Sequence, residues 1–223
     1  MLKGLLFDLD GVIADTARFH LAAWNQVATQ LGITLPPAAN DALRGRSRES
    51  SLALVLSYGD PHAVYTDAQK ADLAAQKNAW YLQAIDALTP ADILPGITRL
   101  LADAQAAGLH LAIASASKNA PAILTKLGLA AAFETRVDPA TLHRGKPDPE
   151  IYQRAQAQLG LTAQEVVGFE DASAGVAAIK AAGQFAVGIG DATTLAAADF
   201  IVPNTAALDL AAITAAHAAK EGD

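Results

Sequence analysis

Five short apolar runs punctuate this chain, and their spacing restricts the fold more than any other feature. They occupy residues 4–7, 109–114, 133–137, 166–169 and 185–189, and residues 200–202 could add a sixth. Each run ends in small or acidic residues. Continuous apolarity without alternation marks strands buried on both faces, as in a parallel sheet. Helical stretches at 97–107, 120–127, 150–159 and 174–182 separate the later runs. Strand alternating with helix predicts an α/β fold, a Rossmann-like doubly wound parallel sheet.

One interval breaks the rhythm. About a hundred residues separate the first run from the second, far more than a single crossover helix requires. Residues 16–88 pattern as helix throughout, with candidates at 17–31, 38–43, 48–56 and 66–87. The expectation is an inserted helical cap domain at 16–91, on a core made of 1–15 and 92–223. Hinges are expected at 14–16 and 87–95, the second carrying Pro90 and Pro95. Alanine-rich tracts at 100–107, 129–132 and 206–219 read as helix-forming filler.

With 52% apolar and 17% charged residues, the chain of 223 residues can bury a substantial core and is not of disordered composition. Sixteen Lys and Arg against 23 Asp and Glu give a net charge of −7, a surface that repels a nucleic-acid backbone. A phosphorylated small molecule would be repelled too, so its site must gather local cations and backbone N–H groups. No cysteine is present, which excludes disulfides and thiolate metal sites. The first apolar run is broken by Lys3, Asp8 and Asp10 and lacks the form of a signal peptide, and no membrane-spanning segment is legible. A cytoplasmic, monomeric protein is expected.

Four elements carry chemistry. The run Leu5-Leu6-Phe7 ends at Asp8-Leu9-Asp10-Gly11. On an extended backbone positions i and i+2 share a face, so Asp8 and Asp10 converge at the carboxyl end of the sheet, where open α/β folds bind ligands. Two close carboxylates repel unless a cation or proton separates them, and a hard divalent ion such as Mg²⁺ suits oxygen ligands. A simple Asp-Gly turn is the competing reading. Glu170-Asp171 closes another run and could complete an acidic metal site, or merely cap the next helix. Ser115-Ala116-Ser117-Lys118-Asn119 follows the run 109–114 and offers hydroxyls, backbone N–H groups and an ammonium to phosphate oxygens, or an ordinary N-cap. Lys146, in Gly145-Lys146-Pro147-Asp148-Pro149, stands in a loop stiffened by proline, beside a transferring phosphoryl group or simply in solvent.

In this order and spacing the four elements resemble the haloacid dehalogenase superfamily over essentially the whole chain. The resemblance implies that Asp8 is a nucleophile that becomes phosphorylated and Asp10 the general acid/base. It implies that Mg²⁺ is held by Asp8, the Asp10 backbone carbonyl and Asp171, with Glu170 supporting or ligating. Ser115, the Ala116 amide and Lys146 would hold the transferring phosphoryl group.

The cap adds further motifs. Thr16, His20 and Trp24 share one helical face in Asp15-Thr16-Ala17-Arg18-Phe19-His20-Leu21-Ala22-Ala23-Trp24. An arginine cluster runs through Leu43-Arg44-Gly45-Arg46-Ser47-Arg48-Glu49-Ser50-Ser51, and Gln76-Lys77-Asn78 sits in the long candidate helix. Bland alternatives are a structural histidine, a solvated helix start capped by Ser47, and an exposed lysine. Taken together these motifs resemble the beta-phosphoglucomutase family. That likeness implies that Arg48, Ser117, Lys118 and Asn119 hold a second phosphate, and that His20 and Lys77 position the sugar and Asp10. Thr16 would serve the hinge, while Trp24 and the loop from Gly45 to Ser51 would contact the sugar. Arg44 and Arg46 receive no catalytic role. The implied reaction interconverts beta-D-glucose 1-phosphate and glucose 6-phosphate. A sugar-phosphate phosphatase using the same Asp8 chemistry and a non-enzymatic phosphometabolite-binding protein are the alternatives.

Overall fold

The computed structural model describes residues 1–221, leaving the side chains of Asp41 and Glu221 aside. Six strands form one sheet: β1 (Gly4–Phe7), β2 (His110–Ile113), β3 (Thr135–Arg136), β4 (Val166–Glu170), β5 (Phe185–Ile189) and β6 (Phe200–Val202). Their order is β3-β2-β1-β4-β5-β6 and every pairing is parallel. The strand order turns back at β1, which lies between β2 and β4, and such a switch point opens a crevice at the carboxyl ends of the strands.

Period-two geometry gives each face its own core. Leu5, Phe7, Leu111, Ile113, Val167, Phe169, Phe185 and Val187 pack on one face with α5 (Ile97–Ala106), α6 (Ala120–Lys126) and α9 (Leu210–Glu221). Leu6, Ala112, Val166 and Ala186 face the other way, onto α7 (Glu150–Gln158) and α8 (Ser173–Ala181). Burial on both faces explains the unbroken apolar runs.

Between β1 and β2 lie α1 (Ala17–Gln30), α2 (Pro37–Leu43), α3 (Arg48–Ser57) and α4 (Asp67–Ile85). They bury a separate cluster that includes Trp24, Val27, Leu43, Leu52, Val55 and Leu73, drawn entirely from this insertion. The structure is thus an α/β core with an inserted helical cap. Local chemistry sets the helix starts. Thr66 and Gln69 form a capping box on α4, and Ser47 Oγ accepts the Ser50 N–H as N-cap of α3.

Three expectations are corrected. The tract 129–132 is a pair of turns, closed by Leu129 N–H to Leu124 O and Ala132 N–H to Leu129 O. Four residues are too few to nucleate a helix of their own. The run 133–137 keeps only Thr135–Arg136 as strand, because β3 is an edge with one partner, β2. In the tract 206–219 the helix begins only at Leu210, after a 3₁₀ turn over Thr205–Ala207.

Candidate active site

Sheet register builds the floor of the site. Phe7 pairs with both Ile113 and Phe169, so β1, β2 and β4 end at one level. The next residues along each strand are therefore Asp8, Ala114-Ser115 and Glu170-Asp171. Asp8 N–H donates to Phe169 O at 3.1 Å and Ala114 N–H to Phe7 O at 2.7 Å, locking the strand ends together.

Lys146 enters from the loop before α7 and sits fully buried between two carboxylates. Its Nζ donates to Asp8 Oδ1 at 2.7 Å and to Glu170 Oε1 at 2.5 Å, over the Tyr152 ring at 5.1 Å. Tyr152 Oη also donates to Glu170 Oε1 at 3.0 Å. Burial raises the Asp8 carboxyl above its ordinary value; Lys146 opposes that and Asp10 reinforces it. Glu170 is likewise raised by burial, against Lys146. The lysine ammonium is held charged, since these two carboxylates outweigh its burial. This lysine is not a solvated one.

Oxygens of Asp8, Glu170 and Asp171 all lie within 4.8 Å of one another. Burial and the neighbouring Glu170 and Asp8 push Asp171 up to about 8, with Arg44 opposing. Two glycines make the space. A Cβ on Gly11, which adopts φ +84°, would lie 2.1 Å from Asp171 Oδ2, and one on Gly175 would lie 1.9 Å from the Glu170 carboxyl. Three close carboxylates, Asp8 and Glu170 buried and Asp171 half-buried, with backbone cleared to admit them, fit a hard divalent cation. The acidic pair does not cap α8: the N-cap is Ala172, with no side-chain hydrogen bond.

Asp10 belongs to a second network. Thr16 is the N-cap of α1 yet makes no capping bond; its hydroxyl donates to Asp10 Oδ1 instead. His20 Nε2 lies 3.6 Å from Asp10 Oδ2, and Lys77 Nζ is 2.6 Å from His20 Nδ1. When Lys77 is protonated its ammonium has only donors, so Nδ1 accepts and the ring proton on Nε2 faces Asp10. Burial, Lys77 and Arg48 hold His20 well below its usual value, in the neutral form. Burial and Arg48 lower Lys77 to about 7, against the pull of Asp10. The Lys77 ammonium lies 5.0 Å from the Trp24 ring and 4.7 Å from that of Tyr81. Asp10 itself is raised by burial, with Thr16 and Lys77 opposing. A carboxyl raised in this way holds a proton more readily than an exposed aspartate, as a group that takes up and returns one must.

One pocket connects these networks. It is lined by Asp8, Asp10, His20, Trp24, Gly45, Arg48, Ser51, Lys77, Ala116, Ser117, Lys118, Asn119 and Asp171 among others. Thr16, Ser115, Lys146 and Glu170 do not line it and are buried. Lys146 borders a neighbouring groove with Lys118 and Ser47 while its side chain stays buried. The loop after β2 does not cap α6 with a side chain. Ser115 Oγ accepts the Ser117 N–H and Ser117 Oγ accepts the Asn119 N–H, leaving each hydroxyl proton to donate.

Residues without a role in the sequence reading also meet here. Arg44 Nη1 donates to Asp171 Oδ2 at 3.0 Å. Asn78 Oδ1 accepts from Arg48 Nη2 at 2.8 Å and from Asn119 Nδ2 at 3.0 Å, joining cap to core. The fully buried Tyr81 packs against His20 with ring centroids 3.9 Å apart and the rings tilted by 33°. Tyr81 lies one helical turn after Lys77, so its spacing was a usable signal. No local pattern announces that Arg44 reaches a carboxylate 127 positions away.

The model of the haloacid dehalogenase-like hydrolases matches residues 2–183. The chain is 44% identical over 209 residues to the beta-phosphoglucomutase of Bacillus subtilis strain 168, covering 94% of this chain and 92% of that protein. The chain belongs to the beta-phosphoglucomutase branch of the haloacid dehalogenase-like family. The crystal structure of beta-phosphoglucomutase from Clostridium difficile superposes with a TM-score of 0.97 at 36% identity, covering 100% of both chains. A more distant member of the family is the fructose-1-phosphate phosphatase YqaB of Escherichia coli K12, 30% identical over 190 residues, 83% of this chain and 95% of that one.

Proposed function

We propose that this enzyme interconverts beta-D-glucose 1-phosphate and D-glucose 6-phosphate through an aspartyl phosphate on Asp8 and a beta-glucose 1,6-bisphosphate intermediate. One observation carries the reading. A single pocket holds the Asp8 carboxylate together with a second set of phosphate-suited groups, Arg48 from the cap and Ser117, Lys118 and Asn119 from the core. A phosphatase needs one phosphate site; a mutase that handles a bisphosphate needs two.

In the primed enzyme the phosphoryl group sits on Asp8. The 6-hydroxyl of beta-glucose 1-phosphate attacks its phosphorus, and the bond to Asp8 Oδ breaks. Asp10 accepts the hydroxyl proton, held by Thr16 and faced by His20. The resulting bisphosphate turns end for end. Asp8 then attacks the phosphorus on C1, and Asp10 returns its proton to the departing O1, leaving glucose 6-phosphate. Splitting the transfer across a carboxylate replaces one hard step with two easier ones. Lys146 neutralises charge on the phosphoryl oxygens, which Ser115 and the Ala116 N–H also bind. Mg²⁺, held by Asp8, Asp171 and the Asp10 carbonyl with Glu170 in support, would offset the charge gathered on the phosphoryl group. Trp24, Gly45 and Ser51 would line the sugar.

The proposed division is a core of 1–15 and 92–223 and a cap of 16–91, hinged beside Thr16. Arg44–Asp171, Asn78–Asn119 and Lys118–Glu49 are contacts such a hinge would make and break. The reading takes the protein to be a cytoplasmic monomer. Its test is a primed assay with beta-glucose 1-phosphate and trace bisphosphate, following glucose 6-phosphate and free phosphate together. Glucose 6-phosphate is expected to dominate; predominant phosphate release would make the protein a phosphatase.

A further inference from the structure

The groups proposed to bind the second phosphate are engaged by partners from the chain itself. Arg48 and Asn119 share the neutral Asn78 Oδ1, but Lys118 Nζ donates to a carboxylate, Glu49 Oε1, at 3.1 Å. Glu49 follows Arg48 directly, in the first turn of α3; Arg48 lines the pocket while Glu49 lines the neighbouring groove, and Lys118 borders both. Although partial burial pushes the other way, its own backbone N–H and Lys118 hold the Glu49 carboxyl below the usual range, and it is ionised at neutral pH. A carboxylate beside a proposed phosphate site opposes binding by plain repulsion, which needs a reason.

The reaction supplies one. A bisphosphate must leave the closed site and return reversed, so a grip that is too firm would trap it. We propose that Glu49 is a positioning residue that stands in for the second phosphate on the Lys118 ammonium: an arriving phosphate displaces it, and its return displaces the departing one. This inference rests on Arg48, Lys118 and Asn119 forming the second phosphate site. The partners are 67% and 43% exposed. An ion pair that open shifts an equilibrium by about two- to fivefold, enough to tune release without abolishing binding. Glu49 would thus set how tightly a bisphosphate is held, while Asp8 chemistry proceeds independently of it.

Binding of beta-glucose 1,6-bisphosphate, measured by calorimetry in an Asp8→Asn background that cannot be phosphorylated, tests this in four proteins: unchanged, Glu49→Gln, Lys118→Met and both. Glu49→Gln is expected to tighten binding about two- to fivefold, and to do nothing once Lys118 is methionine. In the Asp8-intact enzyme the same substitution should lower KM without raising kcat, whereas general loosening of α3 would raise KM. Unchanged affinity in Glu49→Gln, or equal tightening with and without Lys118, would overturn the role of Glu49. If Lys118→Met alone leaves bisphosphate affinity intact, the second phosphate site itself is misassigned and the inference falls with it.

Discussion

Replacing Lys146 with methionine removes the one cation between two buried carboxylates while keeping an unbranched side chain only one atom shorter. Both contacts, 2.7 Å to Asp8 and 2.5 Å to Glu170, join groups whose side chains are at most 4% exposed. At an effective dielectric of about 20 each attraction is worth roughly 6 kcal/mol. Desolvating the ammonium takes back several kcal/mol, so the net loss on breaking such a buried pair is about 3–5 kcal/mol. The loss must depend on pH. Without Lys146 the native-state pKa values of Asp8 and Glu170, already raised by burial, climb further above their unfolded values near 4. A group with a raised native pKa stabilises fully below its unfolded value and loses that contribution as pH rises through the native one. Urea unfolding in EDTA should therefore show a small penalty at pH 5 and about 3–5 kcal/mol at pH 8. The primed mutase assay should show kcat lower by about 10²- to 10³-fold, the usual cost of removing one preorganised charge partner. Equal penalties at both pH values, or less than about 1 kcal/mol at pH 8, would refute the argument that this lysine offsets two ionised carboxylates.

Two other substitutions probe the networks around it. Gly175→Ala would place a Cβ 1.9 Å from the Glu170 carboxyl, so Glu170 must leave Lys146 and Tyr152; a loss of about 1–3 kcal/mol by urea unfolding is expected, together with weaker divalent-ion binding by calorimetry. Lys77, lowered to about 7, binds its proton more weakly in the native than in the unfolded chain, whose lysine titrates near 10.4. Between about pH 7 and 10 the unfolded state holds the extra proton, so stability should rise with pH by at most about 1.4 kcal/mol per unit; Lys77→Met should flatten that slope in unfolding curves measured across the window.

The amino-acid sequence alone determined whatever depends on local repetition. Runs buried on both faces are apolar throughout, and those at Gly4–Phe7, Phe185–Ile189 and Phe200–Val202 coincide with the observed strands. The overlong interval after β1 marked the inserted cap, because chain length cannot be hidden. Asp8 and Asp10 were legible as a pair from their close spacing at a strand end, although β1 stops at Phe7 and both lie just beyond it, and Thr16, His20 and Trp24 because a helix returns every three to four. Tertiary structure alone decided which partners each carboxylate meets. Asp8 and Asp10 are two positions apart, yet one is pinned by Lys146, 138 residues away, and the other faces Thr16, His20 and Lys77 from the cap. The same holds for Arg44 on Asp171, Glu49 on Lys118 and Asn78 between Arg48 and Asn119. These side chains look like ordinary solvated polar residues in the sequence. Their protonation and partners follow from burial and from charges brought close by folding, and neither is a property of neighbouring residues along the chain.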